Sequence, residues 1–369
     1  MKIIISGGGT GGHIFPALSI ANEIRRQFPD ADILFVGAKE RMEMIRVPDA
    51  GYKIIGLPIR GLDRKNMFKN ITIVYKIVKS LFMARKIIRD FNPDIAIGVG
   101  GYASGPTLWM ASSLGVPVLI QEQNSYAGLT NKLLGKRAAK VCVAYSGMNR
   151  FFPEDKVVIT GNPVRKELEK AQEKTSESLE YFGLEAGKPI LLVLGGSLGA
   201  RTINNGMING LPELLKAGIQ VIWQTGKYYY TGINEYIKST VADTKNIWFS
   251  DFILRMDLAY GAADLIVSRA GAGTISELCL QKKSVVLVPS PNVAEDHQTK
   301  NALALSEHGA AVLLPDNIAD KQLASTVLGI FSEKGQLDSL SEKIYHFAQY
   351  NSAERIVNEI INVINPKVE

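Results

Sequence analysis

Short apolar runs alternate with longer amphipathic stretches throughout the first half of the chain. The short runs are rich in Val and Ile and lack polar alternation, which is typical of strands buried on both faces of a parallel sheet. The pattern predicts strands at residues 2–6, 32–36, 53–57, 94–99, 117–121, 140–144 and 156–160. It predicts helices between them at residues 16–27, 69–90, 105–114 and 129–134. An alternation of this kind indicates a doubly wound α/β domain.

The same pattern starts again after Gly161-Asn162-Pro163, a turn-forming tripeptide that we interpret as a hinge. A polar helical stretch is predicted at 165–182, and strands follow at 190–194, 220–224, 246–249, 265–268, 284–289 and 311–314. The last helical stretch, 337–364, is expected to pack back across the domain junction. The sequence of 369 residues thus predicts an α/β protein with two doubly wound parallel-sheet domains that face a cleft. We expect domains at 1–161 and 162–340, and a C-terminal helical segment at 341–369.

The composition is that of a soluble globular protein, with 46% hydrophobic and 21% charged residues. The net charge of +6 favours an anionic partner, which could be a nucleotide, a nucleic acid or an acidic lipid surface. The two cysteines, Cys142 and Cys279, are far apart in apolar stretches, which favours a reducing compartment and offers no zinc spacing. We predict neither a signal peptide nor a run of the roughly 18–20 apolar residues that a membrane span needs.

Two glycine-rich turns each follow a predicted strand and precede a helix, an arrangement that points backbone N–H groups at a phosphate. The first contains the Gly-x-Gly-x-x-Gly spacing of dinucleotide-binding folds, but the second strand ends without the acid that would bind a ribose. The missing acid argues against a dinucleotide site, and no Gly-Lys-Ser or Gly-Lys-Thr follows the glycines, so we do not expect a P-loop either. The turns read Gly7-Gly8-Gly9-Thr10-Gly11-Gly12-His13 and Gly195-Gly196-Ser197-Leu198-Gly199.

His13 lies at the predicted start of the first helix. A neutral imidazole at this position could accept a hydroxyl proton near neutral pH, and a helix N-terminus favours the neutral form. His13 is therefore a candidate general base. The alternative is an exposed polar residue at a helix start.

Polar and glycine residues also follow other strands, at the edge where doubly wound sheets bind ligands. After the strand at 94–99, Gly100-Gly101 allows close backbone approach, and hydroxyl groups follow within the next three residues. The segment 121–125 combines amides with a carboxylate, as sites for sugar hydroxyls do. A glycine turn and helix start at 269–277 could bind a diphosphate, with Glu277 on a ribose. The alternative for the glycine pair is a tight turn, and the alternative for 121–125 is a solvated loop. For 269–277 the alternative is a capping box formed by Thr274 and Glu277.

The predicted helix around 65–89 interleaves apolar and basic residues and has almost no acid. This pattern is typical of docking on an anionic membrane surface, whereas the alternative is a crossover helix with a charged outer face. We expect no nucleic-acid binding, because no recognised motif or aromatic platform is present. The candidate docking residues are Lys65, Phe68, Lys69, Lys76, Lys79, Phe82, Arg85 and Lys86.

Together these segments resemble one family, the MurG-type UDP-N-acetylglucosamine:lipid I N-acetylglucosaminyltransferases of bacterial cell-wall synthesis. The resemblance implies a GT-B fold of two Rossmann-like domains. The N-terminal domain would bind the acceptor and dock on the membrane, and the C-terminal domain would bind the UDP-sugar. The matching blocks run in family order at 7–17, 100–106, 122–124, 128–131, 161–165, 195–200, 251–253, 269–277, 297–298 and 301–302.

The resemblance also implies site residues. The backbone of Ile253 would read the uracil edge, and Glu277 would bind the ribose. Two departures are Ala103, where many relatives have proline, and His297, where some have a second glutamine. The acceptor-side candidates are Tyr102, Ser104, Glu122 and Asn131. The residues around the UDP-sugar would be Thr10, Gly11, Gly12, Asn124, Arg165, Ser197, Ile253, Ala272, Gly273, Thr274, Glu277 and Gln298.

The reaction implied is inverting transfer of N-acetylglucosamine from UDP to the muramyl 4-hydroxyl of lipid I, which forms lipid II. We expect His13 as the base, no cofactor and no essential metal. The expected partners are UDP-N-acetylglucosamine, lipid I, anionic inner-leaflet lipids and other cell-wall synthesis proteins, at the cytoplasmic face of the membrane. Three alternatives stay open: a UDP-N-acetylglucosamine 2-epimerase, a diacylglycerol glycosyltransferase and a nucleotide-sugar sensor.

Overall fold

The computed structural model describes residues 1–60, 71–196, 198–241 and 243–366. The chain forms two compact units, one of Met1–Val164 with Gln349–Glu369 and one of Arg165–Ala348. It leaves the first unit shortly after the expected hinge and re-enters it only at Gln349.

The first unit is built on a sheet of seven parallel strands, counted over the described residues. Ile3, Ile4 and Ile5 in the first strand are fully buried, as expected for a strand covered on both faces. The strands are β1 (Lys2–Ser6), β2 (Asp32–Ala38), β3 (Lys53–Leu57), β4 (Ile95–Gly98), β5 (Val118–Glu122), β6 (Lys140–Val143) and β7 (Val157–Ile159). Their order is β3-β2-β1-β4-β5-β6-β7. The helices are α1 (Gly11–Gln27), α2 (Glu43–Asp49), α3 (Ile71–Phe91), α4 (Ser104–Ser113) and α5 (Leu129–Gly135).

The second unit repeats this architecture with six parallel strands among its described residues. The strands are β8 (Ile190–Leu194), β9 (Gln220–Gln224), β10 (Ile247–Ser250), β11 (Leu265–Ser268), β12 (Ser284–Leu287) and β13 (Val312–Leu313). Their order is β10-β9-β8-β11-β12-β13. The helices are α6 (Ser176–Phe182), α7 (Arg201–Lys216), α8 (Tyr230–Thr240), α9 (Met256–Ala262), α10 (Ala272–Leu280), α11 (His297–Ser306), α12 (Asp316–Ser332) and α13 (Gln336–Tyr345).

The last helix of the chain, α14 (Ser352–Ile364), belongs to the first unit. Its buried Ile356, Val357 and Ile360 join the same apolar cluster as Ile20 and Ile24 of α1. The segment that leads into this helix packs against Gly161, which has a φ of +81°. A Cβ atom at Gly161 would overlap the side chains of Gln349 and Ser352. Glycine is therefore required where the returning chain crosses the end of the first unit.

Strand order reverses at one point in each sheet, between β1 and β4 and between β8 and β11. In doubly wound sheets the carboxyl ends of the strands at such a point form the usual ligand site. The two glycine-rich turns follow β1 and β8, and the segments 99–104 and 269–277 follow β4 and β11. The topology therefore places one candidate site at the switch point of each unit.

The predicted fold class is confirmed, and each predicted strand is found with its ends shifted by at most two residues. Two helix predictions need correction. The stretch 165–182 is helical only at a short 3-10 turn, Lys166–Leu168, and at α6. The Gln281 side chain accepts from the Gln172 N–H and donates to the Leu168 and Lys170 carbonyls, and these bonds hold the chain in an irregular, non-helical conformation. The final stretch, 337–364, is two helices that belong to different units.

Candidate active site

The first glycine turn fixes the tautomer of His13. Thr10 has an extended backbone and caps α1, whose first turn contains Gly11 and Gly12. The Nδ1 atom of His13 lies 3.1 Å from the carbonyl oxygen of Gly8 and 3.4 Å from Thr10 Oγ1. A carbonyl oxygen only accepts, so Nδ1 must carry the proton that it donates to Gly8. The lone pair of the neutral ring is then at Nε2, the nitrogen that can act as a base.

The glycine pair after β4 packs directly against this turn. Gly100 and Gly101 have φ values of +91° and +88°, which favour glycine over other residues. A Cβ atom at Gly100 would lie 2.7 Å from Cδ2 of His13, and one at Gly101 would overlap the Gly8 backbone. Both glycines are therefore needed for the imidazole and the Gly8 carbonyl to lie where they do.

A buried carboxylate that the sequence did not reveal also binds the first turn. Glu43 is 1% exposed, and its Oε2 atom accepts the N–H of Gly9 at 2.8 Å. Its Oε1 atom accepts the N–H of Ala38, at the end of β2, at 2.9 Å. Glu43 begins α2, a short helix that the apolar pattern did not predict, so no sequence signal pointed to it.

The Glu122 carboxylate organises the loop after β5. Its Oε1 atom accepts the backbone and side-chain N–H groups of Asn124, each at 3.1 Å. Its Oε2 atom accepts the Gly128 N–H at 3.0 Å and the Asn131 side-chain amide at 2.9 Å. Among the described residues, the buried Oδ1 atom of Asn131 has no hydrogen-bond partner. Three predicted site residues, Glu122, Asn124 and Asn131, are therefore brought together in one network.

The two hydroxyl candidates after β4 differ in exposure. Ser104 is fully buried and donates to the Gly101 carbonyl at 2.8 Å, which supports the turn. Tyr102 is 51% exposed. Of the four acceptor-side candidates, Tyr102 alone presents a large exposed side chain, since Glu122 and Asn131 are buried.

In the second unit, the glycine turn after β11 leads into α10. Gly271 is the N-cap residue with an extended backbone, and no side chain caps the helix. Thr274 is thus inside the first turn, so the Thr274–Glu277 capping box is not formed. The space around Gly273 is open. The first N–H groups of a helix have no partner within it, so this helix start suits a phosphate.

Glu277, one turn further along α10, is held by two partners. The Tyr260 hydroxyl donates to its Oε2 atom at 2.8 Å, and Arg165 Nη2 lies 3.7 Å from its Oε1 atom. Burial raises the pKa of the Glu277 carboxyl above its ordinary value, although Arg165 and the Tyr260 hydrogen bond both lower it. Burial and the neighbouring Glu277 raise the pKa of Tyr260, so this phenol stays protonated and donates. Tyr260 lies on α9, and its role had no signal in the sequence.

Two other residues that the sequence predicts around the UDP-sugar already make hydrogen bonds within the second unit. The Ile253 N–H donates to Oε1 of Gln224, at the end of β9, at 3.2 Å. The side-chain oxygen of Gln298 accepts the Ser290 N–H at 2.8 Å, so its amide N–H groups face outward from that bond. Ser197 lies outside the described residues.

The exposed face of α3 carries apolar and basic side chains together. Lys79, Arg85 and Lys86 are exposed on it, and Lys76 is half-buried. The opposite face buries Ser80, Ala84, Ile87 and Ile88. Lys65, Phe68 and Lys69 precede the described part of this helix and lie outside the described residues. Among the described side chains of α3, the exposed large apolar residues are Val74, Tyr75, Ile77, Val78 and Phe82.

None of the helices in the described ranges is both long and apolar enough to cross a bilayer. The same ranges contain no group of three or more His, Cys, Asp or Glu side chains arranged to hold a metal ion.

Comparison with known proteins identifies the class. Residues 3–143 match the glycosyltransferase family 28 N-terminal domain, and residues 190–358 match the family 28 C-terminal domain. Two Rossmann-like units that match these domains in this order define a glycosyltransferase with the GT-B fold.

Individual relatives are more specific. A Parabacteroides distasonis protein named UDP-N-acetylglucosamine–N-acetylmuramyl-(pentapeptide) pyrophosphoryl-undecaprenol N-acetylglucosamine transferase is 60% identical over 366 residues, 99% of each chain. The crystal structure of Acinetobacter baumannii MurG has a TM-score of 0.77 at 29% identity, covering 97% of this chain and 99% of that one. The chain therefore belongs to the MurG-type members of glycosyltransferase family 28.

A solved putative UDP-N-acetylglucosamine 2-epimerase from Listeria monocytogenes has a TM-score of 0.68 at 12% identity, covering 100% of this chain and 97% of that one. That likeness shows a shared fold alone.

Proposed function

We propose that the chain transfers N-acetylglucosamine from UDP-N-acetylglucosamine to the 4-hydroxyl of the muramyl sugar of lipid I, forming lipid II for peptidoglycan. The name of the 60%-identical relative supports the substrates. The observation in the structure that carries the proposal is the His13 imidazole, whose Nδ1–H bond to Gly8 leaves the lone pair at Nε2. An acceptor hydroxyl needs such a base, whereas passive binding of a nucleotide does not.

In the proposed reaction, His13 Nε2 accepts the proton of the 4-hydroxyl as its oxygen attacks the anomeric carbon of N-acetylglucosamine. The bond from that carbon to the β-phosphate oxygen breaks on the opposite face, and its electron pair leaves with UDP. The configuration at the anomeric carbon is therefore inverted. Tyr102, exposed after β4, is a candidate to contact the acceptor, and Glu122 and Asn131 shape the loop beside it.

The second unit would hold the donor. The open start of α10, at Ala272, Gly273 and Thr274, would bind the diphosphate and stabilise the negative charge that develops on UDP. Glu277 would accept hydrogen bonds from the ribose hydroxyls while Tyr260 and Arg165 hold it. Ile253 would read uracil, and Gln298 would direct its amide at the sugar. We include Thr10, Gly11, Gly12, Asn124 and Ser197 among the proposed donor contacts by resemblance.

The decisive assay supplies UDP-[14C]N-acetylglucosamine with lipid I, with diacylglycerol, or with no acceptor. We expect label in a lipid product with lipid I only. Label on diacylglycerol would favour the lipid glycosyltransferase. Conversion of UDP-N-acetylglucosamine to its 2-epimer without acceptor would favour the epimerase, and binding without turnover in all three would favour a sensor.

Replacing Tyr260 with Phe is expected to weaken UDP-N-acetylglucosamine binding by about 2- to 10-fold, from the ~0.5–1.5 kcal/mol of one hydrogen bond. The Tyr260 hydrogen bond lowers the pKa of Glu277, so its loss raises that pKa further. Ribose binding needs the charged carboxylate. The pH below which affinity falls should therefore move upward, with kcat at saturation unchanged.

Calorimetric titration of Tyr260→Phe with UDP between pH 5 and 8 tests this expectation. Tyr181→Phe, at an exposed tyrosine of the same unit, is the matched control. Wild-type affinity and wild-type pH dependence in Tyr260→Phe would contradict it.

The exposed face of α3 would dock the enzyme as a peripheral protein on the cytoplasmic face of the cell membrane. There it would act beside other cell-wall synthesis proteins and contribute to cell shape and division. Each basic residue near an anionic bilayer contributes about 1 kcal/mol. The double variant Lys79→Gln/Lys86→Gln should therefore bind vesicles of anionic phospholipid roughly 30-fold more weakly than the wild type.

Vesicle co-sedimentation measures this loss, and Phe82→Ser should weaken binding further at any salt concentration. Lys238→Gln/Lys321→Gln removes the same charge from exposed positions on α8 and α12. Equal losses for the two double variants would show that only net charge matters and would exclude a docking face on α3.

A further inference from the structure

One peptide group lies between the Glu43 carboxylate and the His13 imidazole. The peptide that joins Gly8 to Gly9 donates its N–H to Glu43 Oε2 at 2.8 Å. Its carbonyl oxygen accepts the Nδ1–H of His13 at 3.1 Å. In a planar trans peptide the N–H and C=O point in opposite directions, so a single plane can connect the two side chains. The carboxylate and the imidazole therefore act on the same peptide from opposite sides.

The carboxylate is fixed on its own side. Its second oxygen accepts the Ala38 N–H at 2.9 Å, and the side chain is 1% exposed. A Cβ atom at Gly37 would lie 2.6 Å from Glu43 Cγ, and one at Gly8 would overlap the carboxylate itself. Glycines on both sides thus leave the space that Glu43 fills. A buried carboxylate with two charge-assisted hydrogen bonds has little freedom to rotate.

We propose that Glu43 is a positioning residue for His13 and acts through the Gly8–Gly9 peptide. Its charge polarises that peptide, so the Gly8 oxygen becomes a stronger acceptor for the Nδ1–H of His13. This fixes the tautomer with the lone pair at Nε2 and stabilises the imidazolium that forms when Nε2 takes a proton. The inference rests on the proposed role of His13 as the base.

The described elements near this imidazole carry other titratable groups as follows. Helix α1 carries no other titratable side chain before Glu23. The turn after β4 contributes Tyr102, and the loop after β5 contributes Glu122, whose carboxylate accepts four hydrogen bonds of its own loop. The charged residues between β2 and α2, Lys39, Glu40 and Arg41, are exposed. Glu43 is a buried charge that a hydrogen-bonded path, through the Gly8–Gly9 peptide, connects to His13.

Glu43→Gln tests the proposal with two readouts. In protein labelled with 13C,15N-histidine, the wild-type His13 ring should be the Nδ1–H tautomer. In Glu43→Gln its pKa should fall and both tautomers should appear, while His346, exposed in the second unit, stays unchanged. In the transfer assay, kcat should fall roughly 10- to 100-fold, the range found when partners that orient metal-ligating histidines are removed. The acid limb of its pH profile should move to lower pH, and the KM for UDP-N-acetylglucosamine should not change.

A His13 ring with its proton on Nε2 in the wild type would overturn the proposal. So would identical titration and tautomer of His13 in the wild type and Glu43→Gln. If Glu43→Gln fails to fold, Glu43→Asp replaces it, because it keeps the charge on a shorter side chain. The Nδ1–H tautomer of His13 should then persist only if the shorter carboxylate still accepts the Gly9 N–H. The kcat of this variant should be proportional to the fraction of His13 in the Nδ1–H tautomer. The spectra need no turnover, so failure of the proposed reaction is distinguishable from failure of this inference.

Discussion

Replacing His13 with Ala should lower kcat for transfer to lipid I by about 10²–10⁴-fold, the usual contribution of a general base. The donor is proposed to bind mainly through the second unit, so the KM for UDP-N-acetylglucosamine should change little. The imidazole is only partly buried, and it contacts the Gly8 carbonyl and the turn at Gly100. Its removal should therefore leave the melting temperature close to that of the wild type.

Initial rates at saturating concentrations of both substrates measure this effect. His346→Ala, at an exposed histidine in the second unit, controls for loss of an imidazole as such. The wild-type rate should also fall at acid pH as His13 becomes protonated, and this limb should vanish in His13→Ala. Near-normal turnover of His13→Ala with saturating substrates would rule out His13 as the base.

Replacing Glu277 with Gln should weaken UDP-N-acetylglucosamine binding by about 10- to 150-fold, since hydrogen bonds to a charged group contribute ~1.5–3 kcal/mol. Gln keeps the size of the side chain and one oxygen for the Tyr260 hydroxyl, but it removes the charge that faces Arg165. It also leaves fewer acceptors for the two ribose hydroxyls. The chemical step at saturating donor should be affected far less than binding.

Comparison of UDP with 2′-deoxy-UDP by calorimetry separates a ribose contact from a general loss of folding. The wild type should prefer UDP, and Glu277→Gln should lose most of that preference. Glu235→Gln, at an exposed position on α8, should keep it. An undiminished preference for UDP in Glu277→Gln would place the ribose elsewhere.

The two parallel sheets could be predicted from the sequence because a strand buried on both faces must be apolar along its whole length. Ile3–Ile4–Ile5 and Leu191–Leu192–Val193, all fully buried, are examples. The helices were harder to predict from the sequence than the strands. The segment between Leu168 and Thr175 has a polar helical pattern, yet it is not helical, because one distant side chain, Gln281, binds its backbone. A local pattern cannot contain such a partner.

In the candidate site, too, some features could be predicted from the sequence and others depend on the tertiary structure. The glycines after β1, β4 and β11 are visible in the sequence because backbone that must approach a neighbour or a ligand closely excludes a Cβ atom. The capping-box interpretation of Thr274 and Glu277 was equally compatible with the sequence. Only the structure shows that α10 begins at Ala272, with Gly271 as its cap and Glu277 bound to Tyr260.

The sequence alone determined that two glycine turns of similar pattern follow two central strands, because strand periodicity and glycine spacing are local properties. The tertiary structure decided that the two turns differ. In the first, the Gly9 N–H binds the carboxylate of Glu43, 34 residues further along the chain, and the Gly8 carbonyl binds His13. In the second, the Gly195 N–H donates to the Gln224 carbonyl at the end of β9, and the Gly199 N–H donates to the Gly196 carbonyl within the turn, so both N–H groups bind backbone oxygens. Which backbone groups a fold fills with its own side chains depends on contacts between distant segments, and these form only when the chain is packed.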